Sequence, residues 1–524
     1  MLRAFALKTE DHLSENTFER LRCVFPEQRL PSYKASKSRI RFLSSFNPIP
    51  LDCCINSCCA FTGPREHETI CDHCNEPRYN ARGRPRKRFM YIPIIPRLIE
   101  FFKNSEMVQE MKYRDDFLHT KGASKDIFDG DNYQRLKTEH VTIGGQKQAH
   151  KFFDKPHDIA LGLSTDGFAP FKKRKHTAWP LLLFNYNLPP DVRFHLRRIL
   201  CAGVIPGPKK PKDFDSFLWP LVEELLKLLD GIRAYDALSK LWFLLRAYLI
   251  IAFGDMPAIS MVMRMKGHNG LLPCRMCLIK GVRVPDTRAT THYVPLDRSR
   301  HPSVQGTSEV KVYDPADLPL RTHTQFMESA NEVQFAPSVA EGERRAKACG
   351  IKGIPLLSHL PSLTFPTSFP FDFMHLMYEN TIKNLIHLWT GTFKDLDTGT
   401  EDYQFPPTVW SAIGEATANA GATIPSAYGA RPQNISLPGI STTADAWSFW
   451  AMYIGPVLLR TRFSKRVYYD HFVELVKLIH LCIQFEISKE DIQHIRVGFQ
   501  KWVKEYERSV TTHEILIMSA LPKD

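Results

Sequence analysis

The chain has 524 residues, of which 43% are hydrophobic, so it can bury a large core and is expected to fold as two to four domains. Lysine and arginine number 69 against 56 acidic residues, and the net charge of +13 suits a polyanionic partner without proving one. The start, MLRAFALKTEDHL, reaches charged residues too early for a signal peptide, and the most apolar run is interrupted by Arg246 and ended by Asp255. We therefore expect neither a disordered, nor a secreted, nor a membrane-spanning protein. Twelve cysteines without a secretory signal indicate reduced thiols and metal ligands, in the nucleus or the cytosol.

Residues 1–50 form a basic N-terminal region in which one helix is predicted, around Ser14–Phe25. Nothing in this region points to a particular chemistry.

Residues 51–92 are predicted to form a zinc-ribbon-like module with a basic tail, because six cysteines crowd into residues 53–74. Four of them form two closely spaced pairs, Cys54 with Cys58 and Cys71 with Cys74. Four thiolates are what a tetrahedral structural zinc requires. Asn75 can adopt the left-handed conformation that closes such a knuckle. Two alternatives stay open: Cys53 or Cys59 replaces a neighbour as ligand, or all six cysteines are buried without a metal.

Two runs of cations are candidate DNA-binding residues. The first run follows the cysteine pairs and contains Arg82, Arg84, Arg86, Lys87 and Arg88. The second run contains Lys172, Lys173, Arg174 and Lys175. Such side chains neutralise phosphates, and the first run also fits a nuclear address. A solvated linker explains the first run equally well, whereas the second run would lie at the mouth of the candidate DNA-cutting site described next.

Residues 93–155 are predicted as a helical connector, and residues 156–265 as an α/β core. Three apolar runs bounded by Gly, Pro and Asn predict adjacent strands: DIALGLSTDG, TAWPLLLFNYNLP and RILCAGVIPG. The segment DFDSFLWPLVEELLKLLDGI predicts a helix that begins near Asp213 or Asp215 and ends at Gly231. A fourth strand, RAYLIIAFGD, follows. This order of elements is that of a ribonuclease-H-like core.

Two aspartates end strands of this core. Asp166 ends the first strand, and Asp255 follows the fourth. Two strand-end carboxylates side by side can hold a pair of Mg²⁺ ions about 3.5–4 Å apart, which is an arrangement for phosphodiester chemistry. Taken singly, each aspartate is more often a turn residue.

Residues 266–440 interrupt the core as an insertion that carries a second cysteine pair. Cys274 and Cys277 are half of a zinc site, which needs two further ligands from elsewhere. Asp372 and His375 lie further along the insertion and are interpreted as structural polar groups of a helix.

Residues 441–524 are predicted to be helical. The clearest case is SKEDIQHIRVGFQKWVKEYERS, in which Ser488 and Asp491 form a capping pair before apolar residues at spacings of three or four.

Nine strings together resemble the transposase family of CACTA (En/Spm) elements in its fungal form. They are CCINSCCAFTG, CDHCNEPRY, PRKRFMYIPIIPRL, LGLSTDGFAPF, WPLLLFNYNLPP, GVIPGPKKPKDFDSFLWPLVEEL, GDMPA, GHNGLLPCRMC and FPFDFMHLMYEN. The resemblance runs from about residue 50 to about residue 510.

The resemblance implies a ribonuclease-H-like transposase of the DDE kind, whose three carboxylates bind two Mg or Mn ions and cut and rejoin element ends. Asp166 is similar to the family's first acid and Asp255 to its second. The pair of Cys274 and Cys277 looks like the family's Cys-x2-Cys, which a late His-x3-His completes shortly before the catalytic glutamate. The implied partners are duplex DNA and the terminal repeats of the element, the implied location is the nucleus, and self-association is left open.

The end of the sequence departs from the family pattern. Leu516 and Ala520 stand where the two histidines align, with only His513 nearby, and no further residues follow to supply a third acid. Glu379 is a candidate substitute. We therefore expect a truncated or degenerate copy, or a mispredicted gene end, and no DNA cutting by the chain as given. Two other interpretations are a catalytically dead DNA-binding remnant and a zinc-stabilised interaction protein without affinity for DNA.

Overall fold

The computed structural model describes residues 1–43, 47–171, 176–283, 293–393, 401–425, 428, 431–440 and 442–510. These residues form a mixed α/β structure with a helical C-terminal part, as predicted. They divide into two compact units. Unit 1 contains Met1–Tyr113, His157–Ile159 and Gly167–Tyr248, and unit 2 contains Arg114–Pro156, Ala160–Asp166 and the described residues from Leu249 onward. No helix among the described residues is long and apolar enough to span a membrane.

The described strands and helices are numbered in chain order. The strands are β1 (Ile49–Asp52), β2 (Arg88–Tyr91), β3 (Ala123–Ser124), β4 (His140–Ile143), β5 (Gln146–Lys151), β6 (Ile159–Ser164), β7 (Ala178–Asn185), β8 (Leu200–Pro206), β9 (Ile232–Asp236), β10 (Leu241–Leu245), β11 (Ala247–Phe253) and β12 (Ile487–Ser488). The helices are α1 (Leu2–Glu10), α2 (Glu15–Val24), α3 (Tyr33–Leu43), α4 (Ile95–Phe102), α5 (Ser105–Met111), α6 (Tyr113–Asp116), α7 (Asp131–Thr138), α8 (Asp215–Asp230), α9 (Met256–Val262), α10 (His323–Gln334), α11 (Val339–Cys349), α12 (Lys383–Trp389), α13 (Pro407–Ala420), α14 (Ala444–Phe449), α15 (Gly455–Leu458), α16 (Arg466–Cys482) and α17 (Lys489–Val510). Two further segments, Met374–Ile382 and Trp450–Ile454, are wound as π-helix.

Unit 1 begins with three short helices, of which the sequence predicts only α2. Ser14 caps that helix, since its Oγ accepts the backbone N–H of Thr17 at 3.0 Å. Phe18 is fully buried against the rings of Phe5 and Tyr33, at centroid distances of 6.1 and 5.9 Å. This aromatic contact joins the three helices.

The strands of unit 1 lie in the order β1, β2, β8, β7, and each neighbouring pair is antiparallel. Helix α8 follows β8 and buries one apolar side, and its ring of Phe217 meets that of Phe89 on β2 at 5.4 Å. The helix ends at Gly231, as predicted, because φ of 114° at that position suits only glycine.

A hairpin between α8 and β11 corrects the sequence analysis, which joined the helix directly to the fourth strand. Strands β9 and β10 pair antiparallel around a turn in which Asp236 Oδ1 accepts the N–H of Leu238 at 2.7 Å. The turn lacks the Asn-Gly or Asp-Gly signature of a two-residue hairpin loop, so the sequence carries no strong signal for it.

Strands β6 and β11 fall mostly in unit 2 and run parallel. Ile159 N–H donates to Arg246 O at one end, and Thr165 N–H donates to Phe253 O at the other. The residue numbers of the hydrogen-bonded partners therefore increase in the same direction along both strands, as in a parallel pair. Both strands form where the sequence predicts them.

A non-strand segment follows the other edge of β11. Ser362 Oγ donates to Leu249 O at 2.6 Å, and Ala252 N–H donates to Ser368 O at 2.9 Å. Within the described residues no further strand pairs with β11 on this side. The α/β assignment is therefore confirmed, whereas a complete ribonuclease-H-like core is not established.

The C-terminal part of unit 2 packs helices around an aromatic core that includes Trp389, Trp450 and Phe472. Helix α17 begins where predicted. Ser488 Oγ accepts the N–H of Asp491 and Asp491 Oδ2 accepts the N–H of Ser488, each at 3.0 Å, which is the predicted capping pair.

Candidate functional site

Four cysteines of unit 1 converge on one point. The sulfur atoms of Cys54, Cys58, Cys71 and Cys74 all lie within 4.8 Å of one another. Cys54, Cys58 and Cys71 are buried and Cys74 is half-buried. Such a group could hold a structural metal such as zinc.

Two residues with a left-handed backbone conformation position these sulfur atoms. Ser57 and Asn75 have φ of 59° and 58°, and each closes a turn by donating its N–H to Cys54 O or Cys71 O, at 2.8 and 2.7 Å. The expectation for Asn75 is thus met. Asn56 adds a feature that the sequence analysis missed, because its backbone and side-chain N–H groups donate to Cys54 Sγ and Cys74 Sγ at 3.4 and 3.6 Å.

Burial and hydrogen bonding shift the pKa values of the cluster's thiols in opposite directions. Burial raises the pKa of the Cys54 and Cys58 thiols, because a buried thiolate lacks solvation. Burial also acts on Cys74, but the hydrogen bonds donated by Asn56 and by backbone N–H of Glu76 lower its pKa to about 7. A metal ion in the centre would supply the charge that thiolates need here.

Cys53 and Cys59, the two alternative ligands, differ in whether they belong to a group that could hold a metal. Cys59 forms a second group with Cys71 and Asp72, and its sulfur lies 3.8 Å from that of Cys71, so this alternative stays open. Cys53 belongs to neither of the two groups found among the described residues.

The cysteine module is fastened to the rest of unit 1 near the start of α8. Cys58 O accepts the N–H groups of Lys212 and Asp213, at 3.0 and 2.9 Å, just before α8. Arg65 Nε donates to Asp213 Oδ2 at 2.7 Å. The module is thus an integral part of unit 1.

The first basic run divides into structural and exposed cations. Arg86 pairs with Glu76 at 2.6 Å, and Lys87 Nζ donates to Ser57 Oγ at 2.7 Å, so both side chains hold the module together. Arg84 and Arg88 are exposed. The second run, Lys172, Lys173, Arg174 and Lys175, lies outside the described residues.

The ends of β6 and β11 bring two aspartates of unit 2 together. A Cβ on Gly254 would lie 2.3 Å from Thr165 O, so only glycine permits the two strand ends to approach this closely. Asp166 follows Thr165 and Asp255 follows Gly254, and the two carboxylates therefore extend from neighbouring strand ends. Asp255 Oδ1 also accepts the N–H of Ala258 at 2.6 Å and caps α9, which is the turn role considered for it.

Asp372 and His375 join these aspartates, although the sequence analysis treated both as structural groups. Nδ1 of His375 lies 3.3 Å from Asp372 Oδ2, and its Nε2 lies 4.0 Å from Asp166 Oδ2. A small cavity beside them is lined by Asp255, Asp372, His375 and Asn380, among others. The Asp-x2-His spacing is the signal that could have found them, because it places both side chains at the start of one helical segment.

The carboxylates keep His375 charged. Its interaction with Asp372 is the main cause that raises its pKa to about 9, burial opposes the rise, and the charges of Asp166 and Asp255 add to it. Burial acts to raise the pKa of Asp372, but His375 outweighs it and the pKa is lowered. At neutral pH an imidazolium therefore lies among three carboxylates.

Glu379, the substitute acid named from the sequence, is half-buried on the same π-helical segment. Asp372, and not Glu379, lines the cavity beside Asp255.

The second cysteine pair forms a loop of its own in unit 2. The N–H groups of Met276 and Cys277 each donate to Cys274 Sγ at 3.3 Å, as in a metal knuckle. Val503 of α17 packs against the cluster that contains both cysteines, and Glu507 accepts the N–H of Leu296 at 2.7 Å. The last turns of α17 therefore reach this loop. His513, Leu516 and Ala520 lie outside the described residues.

Arg275 links the cysteine loop to the acidic centre, by which we mean Asp166, Asp255, Asp372 and His375. It is buried and donates through Nε to Phe369 O at 2.8 Å and through Nη2 to Pro370 O at 2.7 Å. Its guanidinium lies 4.1 Å from the centroid of the Phe371 ring. Arg275 thus fixes the three residues that lead into Asp372.

Comparison with known families finds a match for part of the chain. Residues 144–300 match the model of the transposase family tnp2. The chain is similar to that family over these residues, which we call the tnp2 segment. No curated protein matches the chain.

The tnp2 segment contains Asp166, Asp255 and the pair of Cys274 and Cys277. Asp372 and His375 lie beyond its end, and only the fold brings them back to the two aspartates. The match supports a transposase-like function. The resemblance to a CACTA-type family, stated from the sequence, is consistent with it.

Proposed function

We propose that the chain is a DNA-cutting transposase of the CACTA type, whose acidic centre in unit 2 binds Mg²⁺ or Mn²⁺. The observation that supports the proposal is that Asp255, Asp372 and His375 line one small cavity, while Asp166 lies beside it, with Oδ2 at 4.0 Å from His375 Nε2. Asp372 takes the place of the third carboxylate that the sequence analysis found missing. This proposal replaces the expectation that the chain cannot cut DNA.

The donor set of the acidic centre fits a hard divalent cation. Carboxylate oxygens are the ligands that Mg²⁺ and Mn²⁺ prefer, and Asn380 beside them offers a further carbonyl oxygen. When bound, such ions activate the attacking oxygen and stabilise the leaving oxygen of a phosphodiester.

The residues of the chain have separable roles in this proposal. Asp166 and Asp255 anchor the cation from strand ends that Gly254 holds together. Asp372 completes the set from the start of the π-helical segment. His375 holds a proton on Nε2, facing Asp166, and so reduces the repulsion among the carboxylates before the cation binds.

A nicking assay tests the proposal. The full chain is incubated with supercoiled plasmid and Mg²⁺ or Mn²⁺, and calorimetry follows Mn²⁺ binding. Nicking that requires the cation and disappears in Asp166→Asn and in Asp255→Asn supports the proposal. A chain that binds neither cation and does not nick DNA contradicts it.

The second candidate function is a DNA-binding remnant that does not cut. The use of Asp255 Oδ1 as a helix cap favours it, because that oxygen already accepts a hydrogen bond. Salt-dependent DNA binding without nicking would indicate this function. Absence of DNA binding would instead indicate a zinc-stabilised interaction protein.

The remaining roles complete the proposal. Zinc at Cys54, Cys58, Cys71 and Cys74 would fasten the N-terminal module. Cys274 and Cys277 are half of a second site, which would hold zinc only if two further ligands come from elsewhere in the chain. Phosphate contacts are proposed for the exposed Arg84 and Arg88, and for Lys172, Lys173, Arg174 and Lys175. A nuclear location and binding to the terminal repeats of the element are proposed from the family resemblance alone, and self-association is left open.

A further inference from the structure

Helix α3 carries an unusual concentration of positive charge. Its 11 residues include four cations, Lys34, Lys37, Arg39 and Arg41, and no acidic residue. Helix α3 lies outside both the first basic run and the tnp2 segment. No role for it was predicted from the sequence.

Three of these four cations lie on one side of α3. Lys34, Lys37, Ser38 and Arg41 follow one another at spacings that place them on a single helix face, and all four are exposed. Ser36, which is fully buried, marks the opposite side. Tyr33 packs α3 on α1 and α2 from the flank of the face, and its ring centroid lies 5.8 Å from Lys37 Nζ. We call the four exposed residues the α3 face.

The α3 face is presented on a fixed support. Glu19 of α2 accepts the N–H of Tyr33 at 2.6 Å, and Ser32 Oγ accepts the N–H of Ala35 at 3.2 Å. These two hydrogen bonds satisfy donors of the first turn, which a helix cannot satisfy internally. The face is therefore held by the helical trio rather than by a ligand.

Charge pairing distinguishes the α3 face from exposed cations of α11 and α16. Arg344, Lys477 and Arg466 each pair with a carboxylate on the same helix, at 2.7, 3.3 and 2.8 Å. Among the described residues no carboxylate forms an ion pair with Lys34 or Lys37, and Arg41 hydrogen-bonds only the neutral amide of Asn47. The charge of this face is thus available for a polyanion.

We propose that the α3 face is a duplex-DNA binding surface, separate from the acidic centre, and that α3 lies in a major groove. A major groove about 12 Å wide admits one helix, and an 11-residue helix is about 16 Å long. Lys34, Lys37 and Arg41 then reach phosphates or guanine edges. The inference rests on the proposed function only for the choice of DNA as the polyanion.

Salt-dependent binding of the full chain tests the α3 face. The test variant carries Lys34→Gln, Lys37→Gln and Arg41→Gln. The matched control carries Arg466→Gln, Lys477→Gln and Lys501→Gln, which removes the same charge from exposed, ion-paired positions. Fluorescence anisotropy with a labelled duplex is recorded between about 50 and 200 mM salt, where neutralisation of phosphates dominates the salt dependence.

The test variant should bind more weakly, and its slope of log K against log salt should fall by about 0.9 for each phosphate that the variant no longer neutralises, up to about 2.7. The control should keep the slope of the unaltered chain. Equal slopes in test variant and control, or no duplex binding by the unaltered chain, overturn the inference. Circular dichroism confirms that each variant is folded, and if the triple variant unfolds, Lys37→Gln alone replaces it with an expected decrease of about 0.9 in slope.

A second measurement separates this inference from the proposed function. When the protein binds the duplex, it should protect guanine N7, which lies in the major groove, from methylation. Asp166→Asn should keep that pattern while losing nicking. Protection from methylation that is confined to minor-groove positions overturns the placement of α3. Binding through α3 without any nicking overturns only the proposed function.

Discussion

Nε2 of His375 lies 4.0 Å from Oδ2 of Asp166, although the two residues come from distant parts of the sequence. This approach brings a π-helical segment to the end of β6. Because Asp372 lies on the other side of the same imidazole, at 3.3 Å, the arrangement also defines which carboxylate joins the two strand-end aspartates.

The closeness of the two strand ends depends on Gly254. In Gly254→Ala the new Cβ would meet Thr165 O at 2.3 Å, so the strand ends must separate and Asp255 must move. We expect a loss of about 1–3 kcal/mol in the free energy of unfolding and weaker Mn²⁺ binding. Gly342→Ala is the control, since this helical glycine has no neighbour nearer than 3.4 Å, and it should stabilise the protein by about 0.5–1 kcal/mol. Urea unfolding and calorimetry check both. Unchanged Mn²⁺ affinity in Gly254→Ala contradicts the prediction.

Arg275 should act by positioning Asp372. Arg275→Lys keeps the positive charge but cannot make both hydrogen bonds to Phe369 O and Pro370 O. Nicking should slow about tenfold or more, with lower Mn²⁺ affinity and little change in DNA binding. Comparable losses of Mn²⁺ affinity and DNA affinity would indicate general unfolding instead.

The cysteine cluster should hold one zinc per chain. Cys54→Ser should abolish the zinc measured by elemental analysis and lower the melting temperature, because thiolate ligation is coupled to folding. Cys59→Ser should keep the metal if Cys59 is not a ligand. Loss of zinc in Cys59→Ser, with retention in Cys54→Ser, would transfer the site to the second group. Two zinc ions per chain would mean that Cys274 and Cys277 find further ligands.

His471 gives the stability a pH dependence. It lies on α16 and donates through Nε2 to Trp502 O of α17 at 3.0 Å. Burial is the main cause that lowers its pKa below the ordinary 6.5. As pH falls below 6.5 the unfolded chain takes up a proton that the folded chain resists, so the free energy of unfolding decreases. His471→Gln keeps a donor and should remove this contribution. Urea unfolding at pH 7.5 and pH 5.5 measures it, and an identical pH dependence in both proteins contradicts the assignment.

Local patterns in the sequence predicted the elements that are stabilised locally. The capped starts of α2 and α17, the end of α8 at Gly231 and the apolar strands β6 and β11 all follow from neighbouring residues. The cysteine cluster was also foreseen, because its ligands lie close together in the chain.

Features that depend on distant residues were not predicted. Asp372 and His375 look like ordinary polar residues until Arg275 fixes the segment before them and the chain folds back onto β6. Likewise, the hydrogen bonds of Arg86 and Lys87 inside the cysteine module cannot be read from a run of cations. The interpretation of Glu379 as the substitute acid followed from its sequence neighbourhood, whereas Asp372 lines the cavity.

The most direct test of the account is the metal-dependent nicking rate of Asp372→Asn compared with that of Glu379→Gln. Asparagine keeps the size of Asp372 but removes the charge that would bind the cation, so nicking should fall about a hundredfold or more, as for a member of a catalytic unit. Glu379→Gln should nick at nearly the rate of the unaltered chain. Full nicking by Asp372→Asn together with loss of nicking in Glu379→Gln would contradict the account and make Glu379 the third carboxylate.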